Sequence, residues 1–322
     1  MRPAFSVLFL TTLIGAGQGL LVALVAGQLF LVVGSGGITE SGGFYAVGSA
    51  LALVLLALGL LASFFHLANP QRAWRAATQW RTSWLSREVI ALPAVMGMAV
   101  LYGGLHWLGW DMALMHFANG KSLDLTMAVG FVTVLACFAL FLCTGMIYAC
   151  VKFIREWASV WTVINYTLMG LASGFILAAA FAASSGAVVT GLFSGTALVL
   201  IIAALFGRAY SLWRNARIRP VSTLKGAIGA PHQNIRQVSQ GFGGKSFNTT
   251  EFFHGASADT VRMLVVFFIA AGFIAPAALV LMGATALLWL AFAIQYVGLL
   301  AERWVFFAHG NHVQNLYYQR KA

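Results

Sequence analysis

An all-α integral membrane protein with eight transmembrane helices, arranged as two four-helix bundles, is the fold class that three observations predict. Of the 322 residues, 61% are hydrophobic and 8% charged, with a mean hydropathy of +0.87, whereas about 25% of a soluble chain is charged. Asp, Glu, Lys and Arg are absent from the long intervals 3–39, 41–71, 89–110, 125–151, 157–207 and 263–301. A weak likeness between FFHLANPQRAWRAATQWR and LFGRAYSLWRNARIR hints at two related halves of four helices each.

A helix crossing a ~30 Å hydrocarbon core needs about 20 apolar residues, which sets the spans near 5–33, 44–67, 89–110, 125–151, 160–183, 187–207, 263–282 and 285–305. The first follows Arg2 as an unbroken apolar stretch to Val33, too long for a signal-peptide core and without a small-residue cleavage site, so it reads as a retained helix. The second closes at His66, and the third opens after Glu88 and contains Pro93. The fourth holds Cys137, Cys143 and Cys150 at spacings of six and seven, neither a disulfide framework nor a CxxC pattern, so they read as small packing residues. Two intervals are double length. Ser184, Ser185 and Gly186 divide one, Gly283 and Thr285 the other, and each reads as a helical hairpin with a tight turn. Between the hairpins, 208–262 is a long basic loop of Arg, Lys, Gly, Asn and Gln that cannot build its own apolar core. It is expected to lie against a partner subunit or the anionic leaflet.

With eight spans, the N-terminus, the connections 68–87, 152–159 and 208–262, and the C-terminus share one side, which holds 18 of the 19 Lys and Arg. Lys121 alone is on the other. Basic residues accumulate in cytoplasmic loops, so both termini are expected in the cytoplasm and the chain in a bacterial inner membrane. The net charge of +11 is then a topology signal, not a sign of nucleic-acid binding.

Ionisable groups near membrane depth are functional candidates, because a charge in lipid is expensive. They are His66, Glu88, His106, Asp111, Asp124 and Glu302. A bis-histidine haem needs two ligands at one depth on facing helices; His66 and His106 fall at opposite faces and His309 and His312 in a polar tail, so haem is not expected, with His66 and His309 as the pairing left open. His66 and Glu88 meet at one boundary among Arg72, Arg75, Arg81 and Arg87 and Trp74, Trp80 and Trp84. Quinone chemistry moves two electrons and two protons and needs ring-oxygen partners that exchange protons near neutrality, which a His and a partly buried Glu can supply. The alternative is a His at a helix end and a Glu paired with Arg87 or Arg81 beneath an aromatic belt.

The run HLANPQRAWRAATQWRTSWLSRE at 66–88, with ERWVFFA at 302–308 and HVQNLYYQ at 312–319, resembles the membrane-anchor subunits of the dimethyl sulfoxide reductase family over almost the whole chain. The resemblance implies an anchor that binds no metal, holds an iron–sulfur subunit and a molybdopterin catalytic subunit, and exchanges electrons with ubiquinone or menaquinone. It places the quinone-site histidine on His66 and the glutamate on Glu88, with Arg72, Arg87, Trp84 and Gln18 as further candidate contacts. Arg75, Arg81, Arg214, Arg217 and Arg219 become candidate docking residues for the partners. AHGNH at 308–312 stands where relatives usually carry acidic residues. Because the His66 face is the basic one, catalysis is expected in the cytoplasm, as in the sulfite dehydrogenase (quinone) branch; the alternative is a quinol-oxidising anchor of a dimethyl sulfoxide reductase-type enzyme. A secondary transporter would need broken helices at mid-depth, and Pro93 and Pro276 are the interruptions available. GAGQG at 15–19 either lines a cavity or packs helices closely. A purely structural anchor is the remaining reading.

Overall fold

The computed structural model describes residues 1–34, 40–116, 122–219, 223–229, 231, 232, 234–236, 238 and 251–316. Eight of the described helices are long and apolar enough to cross a membrane: α1 (Phe5–Gly34), α2 (Gly42–Phe64), α3 (Trp84–Leu108), α4 (Leu125–Ala149), α5 (Val160–Ser184), α6 (Thr190–Ala216), α7 (Ala258–Met282) and α8 (Thr285–His309). Lys121, Lys245 and the Tyr317, Tyr318 and Gln319 end of the C-terminal motif lie outside the described residues.

Local chemistry sets the ends. Ser41, Ser83, Asp124, Ser159 and Ser257 each accept a backbone N–H of the first turn of the helix that follows. Gly186 (φ 64°) and Gly283 (φ 71°) take the left-handed conformation that closes the two hairpins. Several helices outrun their charge-free intervals. α3 begins at Trp84, which puts Glu88 inside the helix, and α2 stops at Phe64, which leaves His66 just beyond it. α6 continues to Ala216, so Arg208 and Arg214 belong to a helix and not to the basic loop. A charge-free interval measures hydrocarbon depth, and backbone hydrogen bonding does not stop there. Between α3 and α4, Ala113–His116 and Ser122–Asp124 pair as a small antiparallel hairpin that the sequence did not suggest. α7 contains a π-turn at Ala270–Ile274 just before Pro276, an accommodation for the missing N–H of proline.

α1 to α4 pack as one four-helix bundle and α5 to α8 as another, with α1 against α5 as the main seam. A Cβ on Gly19 would collide with the Gly170 carbonyl, and one on Gly174 with the backbone of Gly19 and Leu20. Gly15 stands over Gly170 in the same way. Two GxxxG faces therefore meet backbone to backbone, the arrangement by which helices pack where lipid removes the hydrophobic drive. α1 and α5 are the most buried spans, at 72% each.

Replacing Gly174 with Leu should force this seam apart and destabilise the protein by about 3 kcal/mol or more. Thermal unfolding in detergent should show a fall for Gly174→Leu and none for Gly97→Ala, since Gly97 faces open space. Equal midpoints would remove the seam from its central place.

Candidate functional site

The connector between α2 and α3 forms a short 3-10 helix, Pro70–Ala77, on the face that holds the N-terminus. His66 is exposed at its start, and partial desolvation lowers its pKa from the ordinary 6.5. Three arginines here each lie over a tryptophan: Arg75 over Trp74 at 5.6 Å, Arg81 over Trp80 at 5.4 Å and Arg87 over Trp84 at 4.2 Å. Trp74 is 66% exposed and Trp80 51%. Arg72, Arg75 and Arg81 are exposed with them.

Arg87 also donates from Nε to the Trp80 carbonyl at 2.9 Å and from a terminal nitrogen to the Arg81 carbonyl at 2.8 Å. It clamps the connector onto α3. The expected pairing of Glu88 with Arg87 or Arg81 is not present: Glu88 is buried and accepts a 2.6 Å bond from the Thr144 hydroxyl of α4. Successive helical residues point about 100° apart, so Arg87 faces the headgroups while Glu88 turns inward. Gln18 is not brought to this edge. It is 1% exposed in the α1–α5 seam, its Oε1 without a partner among the described residues, about 20 Å along the helix from Phe5. Arg214 reaches the carbonyls of Arg155 and Ala158, Arg217 stacks on Trp213 at 3.9 Å, and the Arg219 carbonyl accepts from Arg155 at 2.9 Å. These residues extend the cationic face.

The other candidates separate. At the opposite mouth of the first bundle, His106 stacks on Tyr45 at 4.5 Å and Asp124 caps α4, beside a cavity of about 220 Å³ that Asp111 also lines. Tyr102 donates to Gln28 and Gln28 to Thr126, at 2.8 and 2.7 Å. Among the described residues no group of three or more His, Cys, Asp and Glu converges as metal ligands would. Cys137 and Cys143 are buried free thiols and Cys150 an exposed one.

A second buried polar cluster is not evident from the sequence. Glu302 of α8 lies between Arg208 of α6, at 2.6 Å, and Arg303, at 3.3 Å, with all three side chains at most 5% exposed. The Arg303 guanidinium sits 3.6 Å over the Tyr166 ring of α5. Charge alone puts Arg208 in the basic loop. The apolar run that flanks it, ALF before and AYSLW after, is the available signal that the helix continues.

The DMSO reductase anchor subunit (DmsC) family model matches residues 3–309. The chain belongs to this family. It is also 48% identical, over the full length of both chains, to a sulfite dehydrogenase subunit of Allochromatium vinosum. The chain is thus a membrane anchor of a molybdoenzyme complex, as the 66–88 resemblance implied, and its spans, arginine-rich rim and buried Glu88 are features of that anchor.

Removing the charge of Glu302 should leave two buried guanidinium groups uncompensated, and Glu302→Ala should lower the anchor's stability by about 3–5 kcal/mol. Chemical unfolding in detergent reads this, and a change below about 1 kcal/mol would show the pair to be dispensable. His66, His254 and His312, all outside the spans, have pKa values lowered by desolvation. The unfolded chain therefore takes up protons first as pH falls. Stability should be complete above pH 6.5 and decline below it toward the folded-state values; His66→Gln should flatten the acid limb of a melting-temperature profile.

Proposed function

We propose that this chain is the quinone-reactive anchor of a heterotrimer that oxidises sulfite in the cytoplasm and reduces quinone in a bacterial inner membrane. The observation that carries the reading is Glu88, a buried carboxylate about 6 Å below the start of α3, under a rim of arginine–tryptophan pairs that begins at His66. That rim lies on the face with 18 of the 19 basic residues, which the positive-inside rule assigns to the cytoplasm together with both termini. The family and the sulfite dehydrogenase relative support the reading as an anchor of a sulfite-oxidising complex.

In this scheme a molybdopterin partner converts sulfite and water to sulfate, two protons and two electrons. An iron–sulfur partner, docked on Arg75, Arg81, Arg214, Arg217 and Arg219, passes the electrons to a quinone at the His66 edge. The quinone takes two protons and leaves as quinol. Desolvation lowers the pKa of His66 and so favours its neutral form, which can bond one ring oxygen, while Glu88 exchanges a proton with the other. Arg72 and Trp84 frame the ring; Arg87 acts by holding the connector. Gln18 is too deep in α1 for the same ring. The family's name favours a second reading, quinol oxidation feeding a reductase.

His66→Gln and Glu88→Gln should each lower sulfite-to-quinone turnover about 100-fold while sulfite oxidation by an artificial dye, which bypasses the anchor, is retained. Unchanged quinone turnover in both variants would refute the site. Quinol-driven reduction of dimethyl sulfoxide, with no sulfite activity, would select the second reading.

A further inference from the structure

Reduction of a quinone at Glu88 consumes protons, yet Glu88 is buried and its bonded partner is a hydroxyl of α4. Thr144 donates to it, the sense required of a chain that delivers protons. One turn further along α4 is Tyr148, whose ring stacks on Tyr166 of α5 at 5.6 Å and 20°. Both tyrosines lie within electrostatic reach of Glu88 on one side and of Arg303 on the other. Polar groups thus run laterally from the first bundle to the Arg208–Glu302–Arg303 cluster of the second.

At that cluster the polar groups are incompletely satisfied. Asn165 Oδ1, the Tyr166 hydroxyl, Arg208 Nη2 and Glu302 Oε2 have no hydrogen-bond partner among the described residues. All four residues are at most 5% exposed, and all four line one cavity. Its volume is about 10 Å³, near the minimum of about 10–15 Å³ that admits a water. The cavity offers two acceptors, one cationic donor and one hydroxyl, which is the set a single buried water satisfies and an anion would not. Leaving these groups bare would be unfavourable, since each forfeits its hydration and only Glu302 Oε2 has an ion pair, with Arg303 at 3.3 Å, to offset it. Its rim includes Glu156 and Arg214, on the basic face.

We infer that this cavity holds water and is the proton intake of the quinone site, with Tyr166, Tyr148 and Thr144 as the hydroxyl relay from the basic face to Glu88. The inference rests on the quinone-site reading above. Each turnover draws two electrons from the partner's iron–sulfur cluster and two protons through this chain, and releases quinol. The bonded step is Thr144 to Glu88; between Tyr166, Tyr148 and Thr144 water carries the proton, and each hydroxyl accepts a proton on one side as it passes one on, so none need ionise. Glu302 stays paired with its two arginines and orients the water. Of the other charged groups, Glu156 stands at the mouth, and His309, His254 and the N-terminal amine lie within reach of one another on the same face.

The test uses the complete complex in membranes, with sulfite as donor and a short-chain ubiquinone analogue as acceptor, in H2O and D2O. Tyr166→Phe and Thr144→Val should each lower quinone turnover at least about tenfold and raise its solvent isotope effect, with dye-linked sulfite oxidation as the measure of assembly. Thr144→Ser should restore most of the rate. Wild-type quinone turnover and isotope effect in both Tyr166→Phe and Thr144→Val, alongside a loss in Glu88→Gln, would overturn the relay alone. Retention in Glu88→Gln as well would overturn the site it serves. Should Tyr166→Phe fail to assemble, Thr144→Val against Thr144→Ser decides.

Discussion

The contact of two glycine faces, Gly15 and Gly19 of α1 against Gly170 and Gly174 of α5, is what the rest of the molecule depends on. The two bundles join where those glycines allow backbones to touch. In hydrocarbon such a seam is held by van der Waals contact over the whole approach, and a single side chain inserted there holds the helices apart along several turns. The seam also fixes the distance between α4 and α5. Tyr148 can stack on Tyr166 because α1 and α5 approach so closely nearby, and the aromatic cluster of Trp157, Phe306 and Phe307 packs around the same two rings.

Polarity is distributed with equal economy. Buried polar groups lie at mid-depth as well as near the two faces: Gln18, Ser173 and Gln295 each bury a polar atom without a partner among the described residues. On the opposite face Gln28 is bonded to Tyr102 and Thr126, while His106 Nε2 has no partner among the described residues. On the basic face the buried polar groups include an ion cluster with a surplus positive charge and several groups left open.

The sequence revealed the number of spans and both hairpin turns, because a missing charge and a left-handed glycine are local signals. It misjudged the end of α6, because that helix carries Arg208 inward, where the carboxylate of Glu302 replaces the water that a charged residue ordinarily needs. No spacing rule joins residues as far apart in the chain as Arg208 and Glu302. Adjacency misled at Arg87 and Glu88, where neighbours in the chain face different surroundings. Gln18 falls at mid-depth of the span 5–33 by position alone, well away from the edge that holds His66.

The clamp formed by Arg87 ties the connector through main-chain carbonyls, so its hold does not depend on which side chains Trp80 and Arg81 carry. Evolution is thereby free to vary the exposed rim while the loop keeps its course. A protein that binds there meets a surface already rigid, loses little conformational freedom of the anchor on association, and can be exchanged for a different partner without redesigning the membrane domain beneath.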